Sequence, residues 1–524
     1  MTPIPGRPSS FWLDTADRPS FPALDQAIGV DVAIVGGGIV GITTALLLKR
    51  GGLSVAVIEA EGVAGGVTGK TTAKITSLHT TIYKDLVSKF GEEGARLYGE
   101  SQQTALERIA QFVAEYGIDC DFERRDSYTY NESGTGLEAI EQEAEAAIRL
   151  GLPASLVRAA PLPYPIKGAV RFINQAQFHP VKYLAALARQ IPGGNCHVFE
   201  NTRVIDVEED DFCRVHTERG IVSAKAVVVA TNLPILDRGL YFAKATPYAH
   251  TVLVGRLSDD SRLPGCMAIT NEEPSFSVRT APSPLGTVIV CTGGAYKPGT
   301  VDTRDQYREL ERMVRERFPL ASVEWRWTNE DFNSVDRVPF IGQHSPNAER
   351  TWVATGFNAW GMTNGTVAGM LLSDRILGRP NPWTDLYDAR RGKPYVQPTF
   401  LAEQAKVAAH FVADKVKGAE TTVEALAPGD GGIVTIDGEK VAAWRDDEGR
   451  LHAVSPVCTH LGCNVHWNGL DRTWDCPCHG SRYHCDGRVM HGPAVKALAP
   501  KAIAGSAGLD GAAPPAAPGL RERG

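Results

Sequence analysis

Two short segments, Cys458-Thr459-His460-Leu461-Gly462-Cys463 and Cys476-Pro477-Cys478-His479-Gly480-Ser481, concentrate thiols and imidazoles at spacings suited to metal chemistry. Cys-x-His and Cys-x-x-His each offer one sulfur and one nitrogen from a tight loop. Cys458, His460, Cys476 and His479 then form a set that suits a [2Fe–2S] cluster with two thiolates on one iron and two imidazoles on the other. Histidine in place of cysteine raises the potential of such a cluster well above that of an all-cysteine ferredoxin. A tetrahedral Cys2His2 zinc site is the alternative. Zinc would leave unexplained the further pair Cys463 and Cys478, and the Gly480-Ser481-x-Tyr483 sequence that follows His479. One-electron transfer is therefore the expected chemistry of this end of the chain. His466, His484, His491 and Cys485 fit neither loop pattern and read as surface or packing residues.

A second constellation lies near the other end. Asp31-Val-Ala-Ile-Val-Gly36-Gly-Gly38-Ile-Val-Gly41 is an apolar strand running into G-x-G-x-x-G, followed by a helical pattern from Ile42 to Arg50 and a second strand, Ser54 to Ile58, that ends at Glu59. This is the βαβ dinucleotide fingerprint. Gly36 permits the tight turn, Gly38 lets the main chain approach a pyrophosphate, and Gly41 allows close packing. The helix N-terminus adds partial positive charge, and Glu59 would accept from ribose hydroxyls. A glycine-rich turn without a ligand is the plainer reading of the glycines alone; the strand, the helix and Glu59 together favour a dinucleotide.

The 524 residues exceed one core, since domains run to about 100–200 residues; the net charge of −7 gives no support to nucleic-acid binding. The N-terminus lacks the charged and apolar regions of a secretory signal, and no apolar run is long enough to span a bilayer, so a cytoplasmic protein without a transmembrane anchor is expected. Helical periodicity marks 84–112 and 139–149. Stretches 169–173, 198–207, 251–257 and 287–292 read as strands. A linker helix is expected within 391–420, built on the amphipathic stretch 400–416. Residues 421–504 read as a β-rich module and 505–524, with Ala-Ala-Pro-Pro-Ala-Ala-Pro, as a disordered tail. Cys120, Cys196, Cys213, Cys266 and Cys291 are scattered, as buried free thiols would be.

The two cysteine–histidine loops resemble the high-potential Rieske proteins of respiratory and photosynthetic cytochrome complexes. That resemblance implies a Cys463–Cys478 disulfide stapling the loops, hydroxyls of Ser481 and Tyr483 hydrogen bonded to cluster sulfurs, and Leu461 as an apolar shield. A disulfide is unusual in the cytoplasm, and enclosure beside the cluster is what makes this one credible. Over residues 28–390 the chain resembles the D-amino-acid oxidase superfamily of FAD-dependent oxidoreductases. The similarity rests on the dinucleotide fingerprint, on the strand Val227-Val-Val-Ala230-Thr231-Asn232, and on the loop Thr355-Gly356-Phe-Asn-Ala-Trp-Gly361-Met362-Thr363. Three further segments match: Gly69-Lys-Thr71-Thr72-Ala-Lys74, Gln177-Phe-His-Pro180 and Asp336-Arg-Val-Pro-Phe-Ile-Gly342. The fusion is similar to a bacterial family of FAD-dependent oxidoreductases with a C-terminal Rieske domain. What the resemblance implies is an α/β FAD-binding Rossmann-type domain interleaved with a mostly antiparallel α+β substrate domain, followed by an all-β Rieske domain at 421–504. It implies FAD contacts from Gly36, Gly38, Gly41, Glu59, Thr71, Thr72, Lys74, Val204, Ala230, Thr231, Gly356, Gly361, Met362 and Thr363.

No second dinucleotide fingerprint occurs, so electrons are expected to come from an organic substrate, a small amine or amino acid that loses a hydride to the flavin. They would pass singly to the cluster and on to an external one-electron acceptor, a redox protein or a quinone, at exposed edges of His460 and His479. Two alternatives stand beside this one: a Rieske module that only senses or docks, and flow from cluster to flavin. Arg279 is a candidate for pairing a substrate carboxylate, and Tyr248, His79 and Asp336 are candidates by position in the superfamily pattern.

Overall fold

The apolar strands become the centre of the molecule because they are buried on both faces, as parallel strands covered by helices must be. In the computed structural model, which describes residues 4–392, 400–402, 404–405 and 418–502, Ile28–Val35 pairs in parallel with Val55–Ile58 on one side and Ile221–Val229 on the other. His197–Phe199 adds on one side and Thr351–Thr355 on the other, also in parallel, and Phe340–Gln343 follows Thr351–Thr355 antiparallel at that edge. Two helices, Ile39–Arg50 and Gly361–Ile376, approach each other closely over it. A Cβ at Gly365 would stand 2.6 Å from Ile39 Cγ2, and one at Gly369 would stand 2.6 Å from Thr43 Cγ2. The predicted strand over 198–207 is two strands, His197–Phe199 and Val204–Glu209. The break falls at Asn201, whose φ of 49° is incompatible with a strand.

A second, nine-stranded sheet is antiparallel except where Met267–Thr270 runs beside Glu123–Asn131. Its longest pairing joins Ala245–Leu257 to Leu320–Ser334. Side chains two apart share one face of a strand, so Thr246, Tyr248, His250 and Val252 line a single wall. The interleaved pair of domains expected from the sequence is thus what the chain forms. No helix among the described residues is long and apolar enough to cross a membrane. The linker-helix expectation falls mostly, and the tail expectation wholly, outside the described residues. The five scattered cysteines are buried and free.

The C-terminal module consists of a three-stranded sheet, Gly431–Ile436, Glu439–Arg445 and Leu451–Val454, and a four-stranded sheet running from His466–Asn468 to Val489–His491. Buried polar groups seat it against the rest of the chain. Arg482, 3% exposed, donates to Asp475 Oδ1 at 3.0 Å and Asp471 Oδ2 at 3.0 Å within its own module, and to Thr328 Oγ1 at 3.1 Å on the substrate sheet. Its Nε also stands 3.7 Å from Glu330 Oε2. Arg203 donates to the Val489 carbonyl at 2.8 Å, and His484 Nε2 meets Glu61 Oε1 at 3.0 Å. Removing a buried partner strands the remaining charges and costs about 3–5 kcal/mol. Arg482→Leu is therefore expected to lower stability by about that amount in chemical denaturation. A loss below about 1 kcal/mol would show that this network does not hold the seat.

Candidate functional site

The glycine loop fits a dinucleotide cradle for reasons visible atom by atom. Gly36 has a φ of 111°, and a Cβ there would lie 2.4 Å from the Ala230 carbonyl oxygen. At Gly41 a Cβ would lie 1.9 Å from the Gly36 carbonyl oxygen, which is how closely the helix sits on the strand turn. Glu59 accepts from the main-chain amides of Gly37 at 2.6 Å and Glu61 at 3.0 Å, and burial pushes its carboxyl above the usual range.

A cleft runs from this loop along Glu59, Val204, Ala230 and Thr231 to Thr71, Gly361 and Met362. Of the other sequence candidates, Gly41 packs beneath the cleft and Gly356 turns the chain at a φ of 77°. Thr363 is buried, its hydroxyl donating to the Thr76 carbonyl at 3.2 Å. Thr72 and Lys74 line a neighbouring cavity of about 660 Å3 instead. Thr71, Asn329 and Ala359 border both spaces, so cleft and cavity meet there. The loop at this junction is pinned from outside: Trp327 Nε1 donates to the Lys70 carbonyl at 2.7 Å and Trp12 Nε1 to the Thr71 carbonyl at 2.6 Å.

Lys74 lines the larger cavity together with Lys70, Lys89 and Arg337. It is 7% exposed, its Nζ reaches Ser277 Oγ, and no carboxylate among the described residues forms an ion pair with it. Burial, with Arg279 nearby, pulls its pKa down to about 7. Tyr248 also lines the cavity, with its hydroxyl 3.5 Å from Asp331 Oδ2. Asp331 borders the cleft, accepts from the Ala359 amide at 3.0 Å, and is raised to about 6 by burial.

Of the three remaining candidates, two lie away from the cavity and one borders it. Arg279 does not line the cavity; it is 1% exposed and its guanidinium is taken up by the carbonyls of Ala73, Phe178 and Thr280. It therefore ties the loop at Ala73 to the segment at Phe178 and has no free edge for a substrate carboxylate. Asp336 is 1% exposed and doubly paired with Arg391, at 2.7 and 2.8 Å, away from the cavity. His79 borders the cavity with both ring nitrogens engaged, by Tyr98 at 2.7 Å and the Thr76 carbonyl at 2.8 Å, and its ring stacks on Trp360. Burial lowers its pKa to about 3, so it is neutral.

The two cysteine–histidine loops are built alike. Gly462 N donates to the Cys458 carbonyl and Gly480 N to the Cys476 carbonyl, each at 3.1 Å, and both glycines hold left-handed φ values of 80° and 75°. Cys463 and Cys478 form the expected disulfide between them. Cys458, Cys476 and His479 are buried, and the His460 and His479 rings lie 5.0 Å apart. The Tyr483 hydroxyl is 3.2 Å from Cys458 Sγ. Ser481 Oγ accepts from the Ala494 amide at 3.1 Å. Leu461 is 47% exposed, over the outside of the loop. His460 Nε2 meets Asp237 Oδ1 at 2.9 Å, while its Nδ1 is buried with no hydrogen-bond partner. An orphaned imidazole nitrogen beside two buried thiols fits a bound metal cluster, as the glycine cradle fits FAD.

The imidazole edges are not exposed. Phe242 of the oxidoreductase part lies 5.3 Å from the His460 ring and 5.1 Å from the His479 ring, both edge-on. An external acceptor cannot meet those edges in this arrangement. Sequence reading also missed that Met490, His491, Gly492, Ala494 and Val495 of the C-terminal module wall the cleft, together with Arg203 and Asp331. Nothing in the local spacing of His491 sets it apart from surface or packing residues.

Comparison with known proteins agrees with this geometry. The sequence model for FAD dependent oxidoreductases matches residues 31–375, and that for the Rieske [2Fe-2S] domain matches residues 419–502. A putative Rieske 2Fe-2S iron–sulfur protein of Bacillus subtilis is 36% identical over 94% of this chain and 97% of its own length. The gamma-glutamylputrescine oxidoreductase of Escherichia coli is 26% identical over 71% of this chain and 89% of its own length. Among solved structures, glycine oxidase from Geobacillus kaustophilus superposes with a TM-score of 0.57 at 18% identity, covering 69% of this chain and 99% of that one.

Proposed function

For a chain that belongs to the FAD-dependent oxidoreductase family and ends in a Rieske [2Fe-2S] domain, we propose oxidation of a small amino acid or amine in the Lys74 cavity, with electrons leaving singly through the cluster to an external acceptor. The carrying observation is that one cleft is shared: its far side opens into the substrate-sized cavity at Thr71, Asn329 and Ala359, and its near side is closed by the cluster-bearing domain. Bound FAD would supply acceptance of a hydride and its release as single electrons, and the cluster would carry those electrons at a higher potential.

Cys458 and Cys476 would ligate one iron, and His460 and His479 the other. Asp237 would fix the His460 ring through Nε2 and so leave Nδ1 for the metal, as outer partners of metal-bound histidines do. The Tyr483 and Ser481 hydroxyls would favour the reduced cluster. Gly36 and Gly38 would admit the FAD pyrophosphate and Glu59 its ribose.

In the cavity, Lys74 would meet a substrate carboxylate, which favours an amino acid over a simple amine. The E. coli relative and the glycine oxidase fold are in keeping with such a substrate class. An anaerobic panel of amino acids and amines, followed by bleaching of the flavin band, tests the reading; if no member bleaches it, the substrate class is wrong. A charge-assisted contact is worth about 1.5–3 kcal/mol. Lys74→Met is therefore expected to raise KM about 10–100-fold for carboxylated substrates and leave amines without a carboxylate nearly unchanged. Lysine is charged below its pKa, so binding of an unreactive carboxylate such as acetate to the native protein should weaken as pH rises through about 7.

A further inference from the structure

His491 belongs to the Rieske domain, at the end of the strand Val489–His491, and yet its ring borders the cleft of the oxidoreductase domain. The segment is held there from both sides. Arg203 donates to the Val489 carbonyl at 2.8 Å from the oxidoreductase side. From the cluster side, the Ala494 amide donates to Ser481 Oγ at 3.1 Å. A Cβ at Gly492 would lie 3.1 Å from Ile235 Cγ2, another cleft residue, so the loop lies tightly on the cleft wall.

Within this wall the His491 Nδ1 is sealed from solvent and has no hydrogen-bond partner among the described residues. The other ring nitrogen, Nε2, faces the Asn232 side-chain amide nitrogen at 3.4 Å. An amide nitrogen only donates, so Nε2 accepts and the proton of a neutral ring sits on Nδ1. Burial lowers the His491 pKa to about 4, which keeps the ring neutral near pH 7. The Gly480 carbonyl faces the ring and favours its protonated form, but it does not reach hydrogen-bond geometry with Nδ1. A buried N–H without a well-formed hydrogen bond is unfavourable, and a dinucleotide in the cleft offers several acceptor atoms.

We propose that His491 is an FAD contact supplied by the Rieske domain, its Nδ1–H donating to the bound cofactor, so that the flavin site is complete only when the two domains are seated together. The Gly480 main chain, next to His479, lies beside the same ring. One side chain therefore touches both the cluster loop and the flavin cleft. The inference rests on FAD occupying the cleft and is independent of the substrate and of the direction of electron flow.

The test uses the full-length holoprotein with cluster content monitored by electron paramagnetic resonance. Stepwise dilution with measurement of free FAD fluorescence gives the FAD dissociation constant. His491→Ala is expected to weaken FAD binding about tenfold with the cluster signal unchanged. His491→Gln, which restores a donor, should bring it back to within about twofold of native. Hydrogen–deuterium exchange of the native protein with and without FAD provides a second measurement, in which residues 489–495 should be protected by the cofactor. Native FAD affinity in an Ala variant with an intact cluster overturns the proposal, and so does identical exchange of 489–495 with and without FAD. If the Ala variant loses its cluster, the exchange comparison on native protein decides alone.

Discussion

Gly41→Ala is expected to strip the protein of FAD. The added Cβ would fall 1.9 Å from the Gly36 carbonyl oxygen, and neither the carbonyl nor a Cβ fixed to the helix backbone can turn aside as the end of a flexible side chain could. The helix Ile39–Arg50 would have to lift from the strand turn or carry the turn with it. Either movement displaces the amide of Gly38 from the place where a pyrophosphate would meet it. Overpacking of this kind costs about 1–3 kcal/mol, sometimes more. At the upper figure, FAD affinity falls about 100-fold. Flavin released by acid, counted against protein, measures the loss. Stoichiometric FAD at native affinity would mean that the turn is more yielding than its packing implies.

Cys458→Ser should have the larger effect on turnover. Cys458 is 3% exposed, hydrogen bonds with Cys476 and Tyr483 pull its thiol below the ordinary range, and it lies in a loop closed by the amide of Gly462. Changes to groups that merely support metal ligands cost about 10–100-fold in metal affinity. Loss of a ligand itself is therefore expected to abolish the cluster. The variant should keep its flavin and the cavity of Lys74, so flavin bleaching by substrate should persist while reduction of a one-electron acceptor other than oxygen collapses. Cluster iron, flavin bleaching and acceptor reduction are measured on one preparation. A cluster-free variant that reduces every acceptor at the native rate would assign the Rieske domain a sensing or docking role.

The parts legible in the sequence are those whose function is closed within a few residues. The glycine turns of the loops at Cys458 and Cys476, and the packing of Gly41 on Gly36, are set by contacts between near neighbours in the chain. What was not legible depends on partners far apart in the chain. Arg279 on a β-strand reads as a free cation until the carbonyls of Ala73 and Phe178 are brought to it. Asp336 reads as a pocket carboxylate until Arg391 closes on it. The edges of His460 and His479 read as exposed in the sequence, and only the fold brings Asp237 and Phe242 over them. His491 carries no local mark, since its importance arises only where the Rieske domain meets the cleft. The seat itself, with Gly480 so near Glu330 that a Cβ would stand 2.3 Å from its Oε1, is a property of packing between domains.

The direction of electron flow is the centre of the account, and an anaerobic reductive titration of the native protein with dithionite tests it without any substrate. Flavin is followed by its visible band and the cluster by electron paramagnetic resonance. If the cluster is the outlet, histidine ligation together with the hydroxyls of Ser481 and Tyr483 makes it the higher-potential site, so the first electron should appear on the cluster and the flavin should bleach afterwards. A flavin fully reduced while the cluster remains oxidised would contradict the account and point the flow from cluster to flavin.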